Sequence, residues 1–246
     1  MTMNTHRTLF VAYIAIVIAS GAALLAAGWM SPGAFPTKPL VGFAFWLVLS
    51  LAAECFWLET PTRAGMISMS LAVNTATLFL LPFAWVVTIG AASVMLTDFL
   101  LHRRNLVRAS FNGAQTALSM AASLWVIRLI AGSSHYSGKA ALLEHPLAVA
   151  CGVVTFFILN TGIVAGVISL NGRLGLLKAW RDNFGFGYQF LSSATLTLLG
   201  LTLVLATEAI GYVSGLLYLL FFFFIRDAYH RFSRERAARL AAQTSQ

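Results

Sequence analysis

Charged residues are scarce in this sequence. Only 10% of its 246 residues are Asp, Glu, Lys or Arg, whereas soluble domains carry about a quarter. Hydrophobic residues make up 59% of the chain, and the mean hydropathy is +0.82. This balance excludes an ordinary soluble domain and predicts an integral membrane protein.

Metal-ligating patterns and catalytic motifs are also missing. Cys55 and Cys151 lie in apolar segments without a second Cys or His at metal-ligand spacing, so we expect no disulfide framework, metal or cofactor. The stretch GSSHYSGKA, 132–140, resembles a phosphate-binding loop, but Ala140 stands where a Mg²⁺-binding Ser or Thr is needed. No H-E-x-x-H or G-x-S-x-G sequence occurs. The sequence therefore predicts no catalytic residue and no enzyme activity.

Long apolar runs are what the chain has in abundance. Eight segments approach the roughly 20 residues with which a helix crosses a ~30 Å hydrocarbon core. They are 8–30, 40–59, 66–81, 83–101, 106–131, 146–170, 189–206 and 209–225. The third is short, and Pro82 predicts a tight break before the fourth. We expect an all-α, polytopic membrane helix bundle with about eight transmembrane segments, forming a single transmembrane domain over residues 1–226.

The basic residues divide unequally between the two sides of this eight-segment arrangement. Thirteen Lys and Arg residues fall on one side, and only Lys38, Arg128 and Lys139 fall on the other. Since short cytoplasmic loops are enriched in Lys and Arg, both termini are predicted to be cytoplasmic. Topology and contact with anionic lipids then explain the net charge of +8, so membrane lipids are expected partners and nucleic acid is not.

Polar side chains within the spans form the candidate site, because each is costly at membrane depth. Two carboxylates, Glu54 and Asp98, favour the cytoplasmic leaflet. Four polar residues that open the fifth segment share one helical face, at spacings of four, four and three. The predicted ligand-binding residues are thus Glu54, Asp98, Arg104, Arg108, Asn112 and Gln115. Ser68 and Ser70 lie at similar depth, and Asn74 and Asn160 lie deeper.

Two interpretations of these polar residues stay open. Hydrogen bonds and an ion pair between helices would fix the packing of the bundle. Alternatively, the residues line a polar pocket that opens toward the cytoplasmic leaflet and holds a small ligand, an ion or a lipid head group.

Small residues at four-residue spacing predict close helix packing in lipid. They are Ala15, Ala19, Ala23 and Ala27, then Ala109, Gly113, Ala117 and Ala121, and finally Gly162 and Gly166.

The end of the chain is charged. Residues 227–246 are predicted to form a cytoplasmic basic helical tail, because Asp227, Arg231, Glu235 and Arg239 alternate in sign at i,i+4 spacing. Such a tail is either a basic flank that stops membrane transfer or a helix that couples the bundle to a partner. A further, interfacial helix is predicted between the sixth and seventh spans.

Several stretches resemble a bacterial membrane-sensor region that precedes HD-GYP phosphodiesterase and GGDEF diguanylate-cyclase domains. They are LAAECFWLETP, GMISMSLAV, LLPFAWV, TDFLLHRR, ASFNGAQTALS and FFILNTGIVAGVISL, together with the arginine-flanked end of the last span. The resemblance implies sensing or ligand reception in a bacterial inner membrane, with the signal leaving through the last helix. The chain stops about twenty residues after that span, so the family's output domain is expected to be absent, and no catalytic residue carries over.

Two functional classes therefore stay open. The first is a membrane-embedded sensory or ligand-binding module that signals through a cytoplasmic partner, an output domain or a homo-oligomer. The second is a small-solute transporter, or the substrate-binding subunit of one.

Overall fold

A computed structural model describes residues 3–31, 40–59, 66–132, 138–184 and 187–244. These residues form ten helices and one pair of short strands. In chain order the elements are α1 (Met3–Met30), α2 (Leu40–Glu54), β1 (Trp57–Glu59), β2 (Met66–Ser68), α3 (Ser70–Leu80), α4 (Phe83–Leu100), α5 (Leu106–Ala131), α6 (Gly138–Glu144), α7 (Pro146–Gly172), α8 (Leu176–Asn183), α9 (Tyr188–Ile210) and α10 (Val213–Thr244).

Six of the described helices are long and apolar enough to cross a membrane. They lie in α1, α4, α5, α7, α9 and α10 and contain between 18 and 27 residues that could span. The prediction of a multi-pass helical membrane bundle is confirmed at this level. The predicted interfacial segment is also helical, as α8, and the expected break between α3 and α4 is present at Pro82.

The second and third predicted segments, 40–59 and 66–81, are not continuous helices, so their predicted helix bounds are wrong. Helix α2 has 15 residues and α3 has 11. Between them, β1 pairs antiparallel with β2, with Leu58 opposite Ile67. Short apolar runs fit a strand as well as a helix, and hydropathy alone does not distinguish the two. The strand pairing also provides internal partners for backbone groups that would be costly to leave unpaired in a membrane.

The helices run back and forth between two ends of the bundle. At one end, Phe43 near the start of α2 packs edge-on against Trp85 near the start of α4, with ring centroids 5.3 Å apart. At the other end, the β1–β2 pair meets the turn between α4 and α5. The ring centroids of Trp57 and His102 lie 6.3 Å apart there. We call this second end the arginine end, because Arg103, Arg104 and Arg108 lie there.

Helix α3 forms the centre of the bundle despite its short length. Nine of its eleven residues are buried, among them Asn74, Thr75 and Thr77. All three have hydrogen-bond partners: the Ser50 hydroxyl of α2 donates to Asn74 Oδ1 at 2.8 Å, and the Thr75 and Thr77 hydroxyls donate at 2.7 Å to backbone carbonyls of α3. A polar helix can therefore occupy the core, since buried polar groups are stable when they are hydrogen-bonded.

Glycines allow the helices around this centre to approach closely. A Cβ atom at Gly200 of α9 would lie 2.4 Å from the Ala72 carbonyl oxygen of α3. A Cβ at Gly113 of α5 would lie 2.8 Å from the Ala91 carbonyl oxygen of α4. These backbone-to-backbone contacts are those expected of small residues in membrane helix packing.

The predicted small-residue stripes differ in what they contact. On α5, Ala109, Gly113 and Ala117 are buried, as expected. On α1, however, the predicted stripe is wrong as a packing face within this chain, because all four of its alanines are exposed. Helix α1 packs through another side instead, with Gly21 against Ala114. The four-residue spacing identifies a face of the helix, but it does not show whether another helix covers that face.

The boundary between the last two spans also differs from the prediction. Helix α9 continues to Ile210 and stops at Gly211, whose φ of +66° and ψ of −150° suit glycine and few other residues. Helix α10 then begins at Val213 rather than within α9's last turn.

Substitution of Gly200 tests the central packing. Gly200→Ala should lower the free energy of unfolding by about 1–3 kcal/mol, because its methyl group would overlap a carbonyl that cannot rotate away. Gly162→Ala in α7 is the matched control, since nothing lies within 4 Å of a Cβ there. Reversible unfolding in detergent measures both variants. Equal stability of the two would contradict the close α3–α9 approach.

Candidate functional site

Asp98 organises the polar groups at the arginine end. Its carboxylate lies in the last turns of α4 and accepts from Arg104 Nη1 at 2.8 Å and 3.0 Å. Asn112 of α5 donates to Oδ2 of the same carboxylate, and His102 Nδ1 lies 3.0 Å from Oδ1. The Asp98 side chain is only 6% exposed. The predicted pairing of a carboxylate with the Arg104–Gln115 face is therefore present.

The local sequence explains how Arg104 turns back onto Asp98. Arg103 adopts a left-handed conformation with φ of 51°, and the Arg104 amide donates to the Asp98 carbonyl at 2.9 Å. Asn105 then caps α5, because its side chain accepts from the Arg108 amide at 2.9 Å. The resulting turn directs the first turns of α5 toward α4.

Glu54 lies where α2 ends and α3 begins. The residue is 8% exposed, and its carboxylate accepts a hydrogen bond from the Ser70 hydroxyl. The Ser68 hydroxyl in turn donates to Ser70 at 3.0 Å. Ser70 is the first residue of α3, so the carboxylate also lies at the positive end of that helix.

A third polar contact joins α5 to α7. Gln115 Nε2 donates to the Asn160 carbonyl at 2.7 Å and to Asn160 Oδ1 at 2.8 Å. One residue further along α7, Thr161 accepts a hydrogen bond from the Trp180 indole of α8 at 2.8 Å. Helix α8 is therefore held against the arginine end of α7.

These groups surround a cavity of about 870 Å³. All six residues predicted from the sequence line it, as do Ser68, Ser70, Asn74 and Asn160. The remaining lining residues are Trp57, Leu71, Val94, His102, Thr116, Phe156, Phe157, Thr161, Val164, Phe184, Gln189 and Ser193. The wall is thus contributed by α2, the strand pair, α3, α4, α5, α7 and α9, and it combines ionic, amide, hydroxyl and aromatic groups.

The six predicted residues do not form a single cluster around this cavity. Asp98, Arg104 and Asn112 form one cluster, whereas Gln115 pairs with Asn160 and Glu54 pairs with Ser70. Arg108 is exposed at the wall, and no carboxylate of the described chain lies within ion-pair distance of it.

Sequence reasoning missed several lining residues. Gln189 and Ser193 of α9 stand four residues apart, a spacing that could have marked a polar face at the start of that span. His102 could have been paired with Asp98 by the same spacing. Trp57, Phe156 and Phe157 gave no such signal, since aromatic residues in an apolar segment do not show which of them face a cavity.

Within the residues that the structure describes, no group of three or more His, Cys, Asp or Glu side chains could hold a metal ion. No protein-family model, curated protein or solved structure matches the chain. The cavity and its contacts are therefore the observations from which a function is inferred.

Asp98→Asn tests the cluster at the end of α4. This variant leaves the Arg104 guanidinium, whose side chain is 22% exposed, without its counter-charge. We expect a loss of about 2–4 kcal/mol in the free energy of unfolding, somewhat less than for a fully buried pair. Asp227→Asn breaks an exposed pair with Arg231 and should change stability by less than about 1 kcal/mol. Equal effects in denaturation experiments would contradict the role of Asp98.

Proposed function

We propose that this chain is a sensory or ligand-binding module in a bacterial inner membrane. In this proposal the cavity at the arginine end receives a small polar ligand, and α10 reports its presence to a cytoplasmic partner, an output domain or a second copy of the chain. The observation that carries the proposal is the cavity of about 870 Å³, whose wall holds two carboxylates and two arginines inside a membrane bundle. Ionisable groups at such depth are a functional hypothesis by default. The chain would act by binding, without catalysis of its own.

The proposed topology has eight crossings, with both termini in the cytoplasm. Six come from the long helices, and the other two come from α2 and α3, which the β1–β2 pair extends toward the arginine end. The excess of Lys and Arg at this end supports a cytoplasmic location under the positive-inside rule. The resemblance to the membrane-sensor region supports the bacterial inner membrane.

A contact between the cavity wall and α10 supports signalling through the last helix. Arg226 of α10 lies over the Phe56 ring, 5.9 Å from its centroid. Phe56 stands between two residues that line the cavity, Glu54 and Trp57. A ligand that displaced this junction would therefore act directly on α10.

Helix α10 is long enough to carry such a change out of the membrane. Its 32 residues would extend about 48 Å at 1.5 Å per residue, beyond the ~30 Å of a hydrocarbon core. Asp227 and Arg231 form the first predicted i,i+4 pair, at 2.8 Å. No ion pair joins Arg231 to Glu235 among the described contacts, and the side chain of Arg239 lies outside the described residues.

Blocking the cavity tests the ligand-binding function without assuming a ligand. Thermal unfolding of the purified chain would be followed with amines, amino acids, dicarboxylates, nucleotides and sugar phosphates. A compound at about 100 times its dissociation constant adds about 2.7 kcal/mol of stability, which raises the unfolding temperature measurably. Ser193→Trp should abolish the rise, because Ser193 lines the cavity.

Ser192→Trp is the matched control, since Ser192 is adjacent but does not line the cavity. Ser193→Met, which fills less space, should give an intermediate effect if the tryptophan variant folds poorly. The ligand-binding function is wrong if no compound stabilises the original chain, or if both tryptophan variants respond as it does.

The interrupted α2–α3 region favours transport as the alternative function. Secondary transporters often bind substrates where helices are broken near the middle of the membrane. Here two short helices meet at a strand pair beside a polar cavity. The two functions differ in how the binding site is reached, because a transporter must expose it alternately to the two sides of the membrane.

Cysteine labelling distinguishes the two functions. With Cys55 and Cys151 replaced by Ser, Ser193→Cys would report access to the cavity, and Arg181→Cys on the exposed surface of α8 would report the arginine end. A membrane-impermeant thiol reagent should label both cysteines only in inside-out vesicles if the chain is a sensor. Labelling of Ser193→Cys from both sides would favour transport, and labelling of Arg181→Cys only from outside would contradict the topology.

A further inference from the structure

The two carboxylates of the cavity have unequal partners. Asp98 contacts Arg104, His102 and Asn112, so its charge is balanced within the chain. Glu54 accepts a hydrogen bond from Ser70, but no Lys or Arg of the described chain lies within 4.0 Å of its carboxylate. A buried carboxylate without a counter-charge is costly, so such a group either holds its proton or is paired with a bound cation, and hydroxyl donors offset only part of the cost.

Among the residues that the structure describes, no basic side chain within ion-pair distance supplies a counter-charge to Glu54. Of the ionisable groups that line the cavity with it, Asp98 has the same sign, and His102 and Arg104 are already engaged with Asp98. The N-terminus of α3 provides at most about half a positive charge. Arg108 is exposed on the cavity wall and makes no ion pair with Glu54.

Aromatic side chains of the same wall suit an organic cation. Trp57, Phe156 and Phe157 line the same cavity as Glu54. Aromatic faces attract ammonium groups, and aromatic residues beside an acid form typical sites for alkylated amines. An alkali-metal ion, in contrast, requires several oxygen ligands directed at one point, whereas Ser68 and Ser70 already hydrogen-bond each other and Glu54.

We propose that Glu54 is the counter-charge for an ammonium group on the small molecule that occupies the cavity. The inference rests on the proposed ligand-binding function and names the chemical class of its ligand: an amine or quaternary ammonium compound. The ammonium group lies between the Glu54 carboxylate and the aromatic side chains, while the rest of the molecule extends toward the mouth near Arg108. Repulsion from Arg108 is weak there, because the side chain is exposed and screened by water and salt.

Matched probes test the charge requirement. Choline would be compared with 3,3-dimethylbutan-1-ol, in which carbon replaces the ammonium nitrogen, and putrescine with butane-1,4-diol. Isothermal titration and thermal unfolding of the full chain in detergent would measure binding, with NaCl at equal ionic strength as a separate arm. We expect at least one ammonium probe to bind at millimolar concentration or below, and its neutral counterpart not to bind.

Substitution of the carboxylate then identifies the residue responsible. Glu54→Gln keeps the shape and should weaken binding of the ammonium probe by about 10- to 100-fold, the loss expected for one charge-assisted contact. Glu54→Asp should recover part of the affinity. Glu235→Gln, the same change on the exposed tail, should leave the affinity unchanged.

Three results would overturn the inference. They are the absence of binding by any ammonium probe, equal binding by the original chain and Glu54→Gln, and stabilisation by Na⁺ in place of the amines. In each case the wider compound panel with Ser193→Trp decides separately whether the cavity binds ligands. If a neutral or anionic compound stabilises the original chain but not Ser193→Trp, the ligand-binding function holds and only the ammonium inference is wrong.

Discussion

The contact between Asp98 and Arg104 is the interaction on which the arginine end depends. A single carboxylate, buried in α4, holds the turn that follows it and reaches Asn112 one helix later. Both charges would be expensive at this depth if they were separate, so the turn is fixed by the requirement that they meet. Because the first turns of α5 are held in this way, Asn112 and Gln115 face the interior of the bundle, and the exposed Arg108 lines the same cavity. The polar cavity follows from this arrangement.

The second condition for the cavity is that α2 and α3 stop short. A continuous pair of helices would have packed side by side through the arginine end, as α4 and α5 do. Instead α2 ends at Glu54 and α3 begins at Ser70, with β1 and β2 between them. Non-helical backbone is tolerated at membrane depth where it is enclosed by protein or lines a cavity. The strand pair meets the second condition, because Trp57 and Ser68 line the cavity, and its own ladder satisfies part of the backbone.

The sequence was sufficient to predict the long helices and the polar residues of the site, and the reason differs between the two. Six apolar runs were long enough that only a helix could satisfy their backbone in lipid, and periodicity placed Arg104 to Gln115 on one face. The segments 40–59 and 66–81 failed because their lengths lie near the limit, where hydropathy is the same for a strand and a helix. The alanine stripe of α1 failed for a different reason: lipid and a neighbouring helix are both apolar, so composition does not tell which of them covers a face. The aromatic wall of the cavity depended on long-range packing and left no local pattern.

Phe56 connects the surroundings of the polar site to α10, the helix proposed to carry the signal. A sensor requires one element with two arrangements. The ligand shifts the equilibrium between them at one site, and the partner shifts the same equilibrium at another. The junction from Glu54 to Ser70 is suited to this role, because it touches the cavity through Glu54 and α10 through the Phe56–Arg226 contact. A transporter would use the same junction as a gate, with the difference that movement would open the cavity to the opposite side.

The feature that separates the two functions is therefore the central helix α3. Its nearly complete burial and its close contact with Gly200 hold it in place, and a fixed α3 favours transmission along α10 over alternating access.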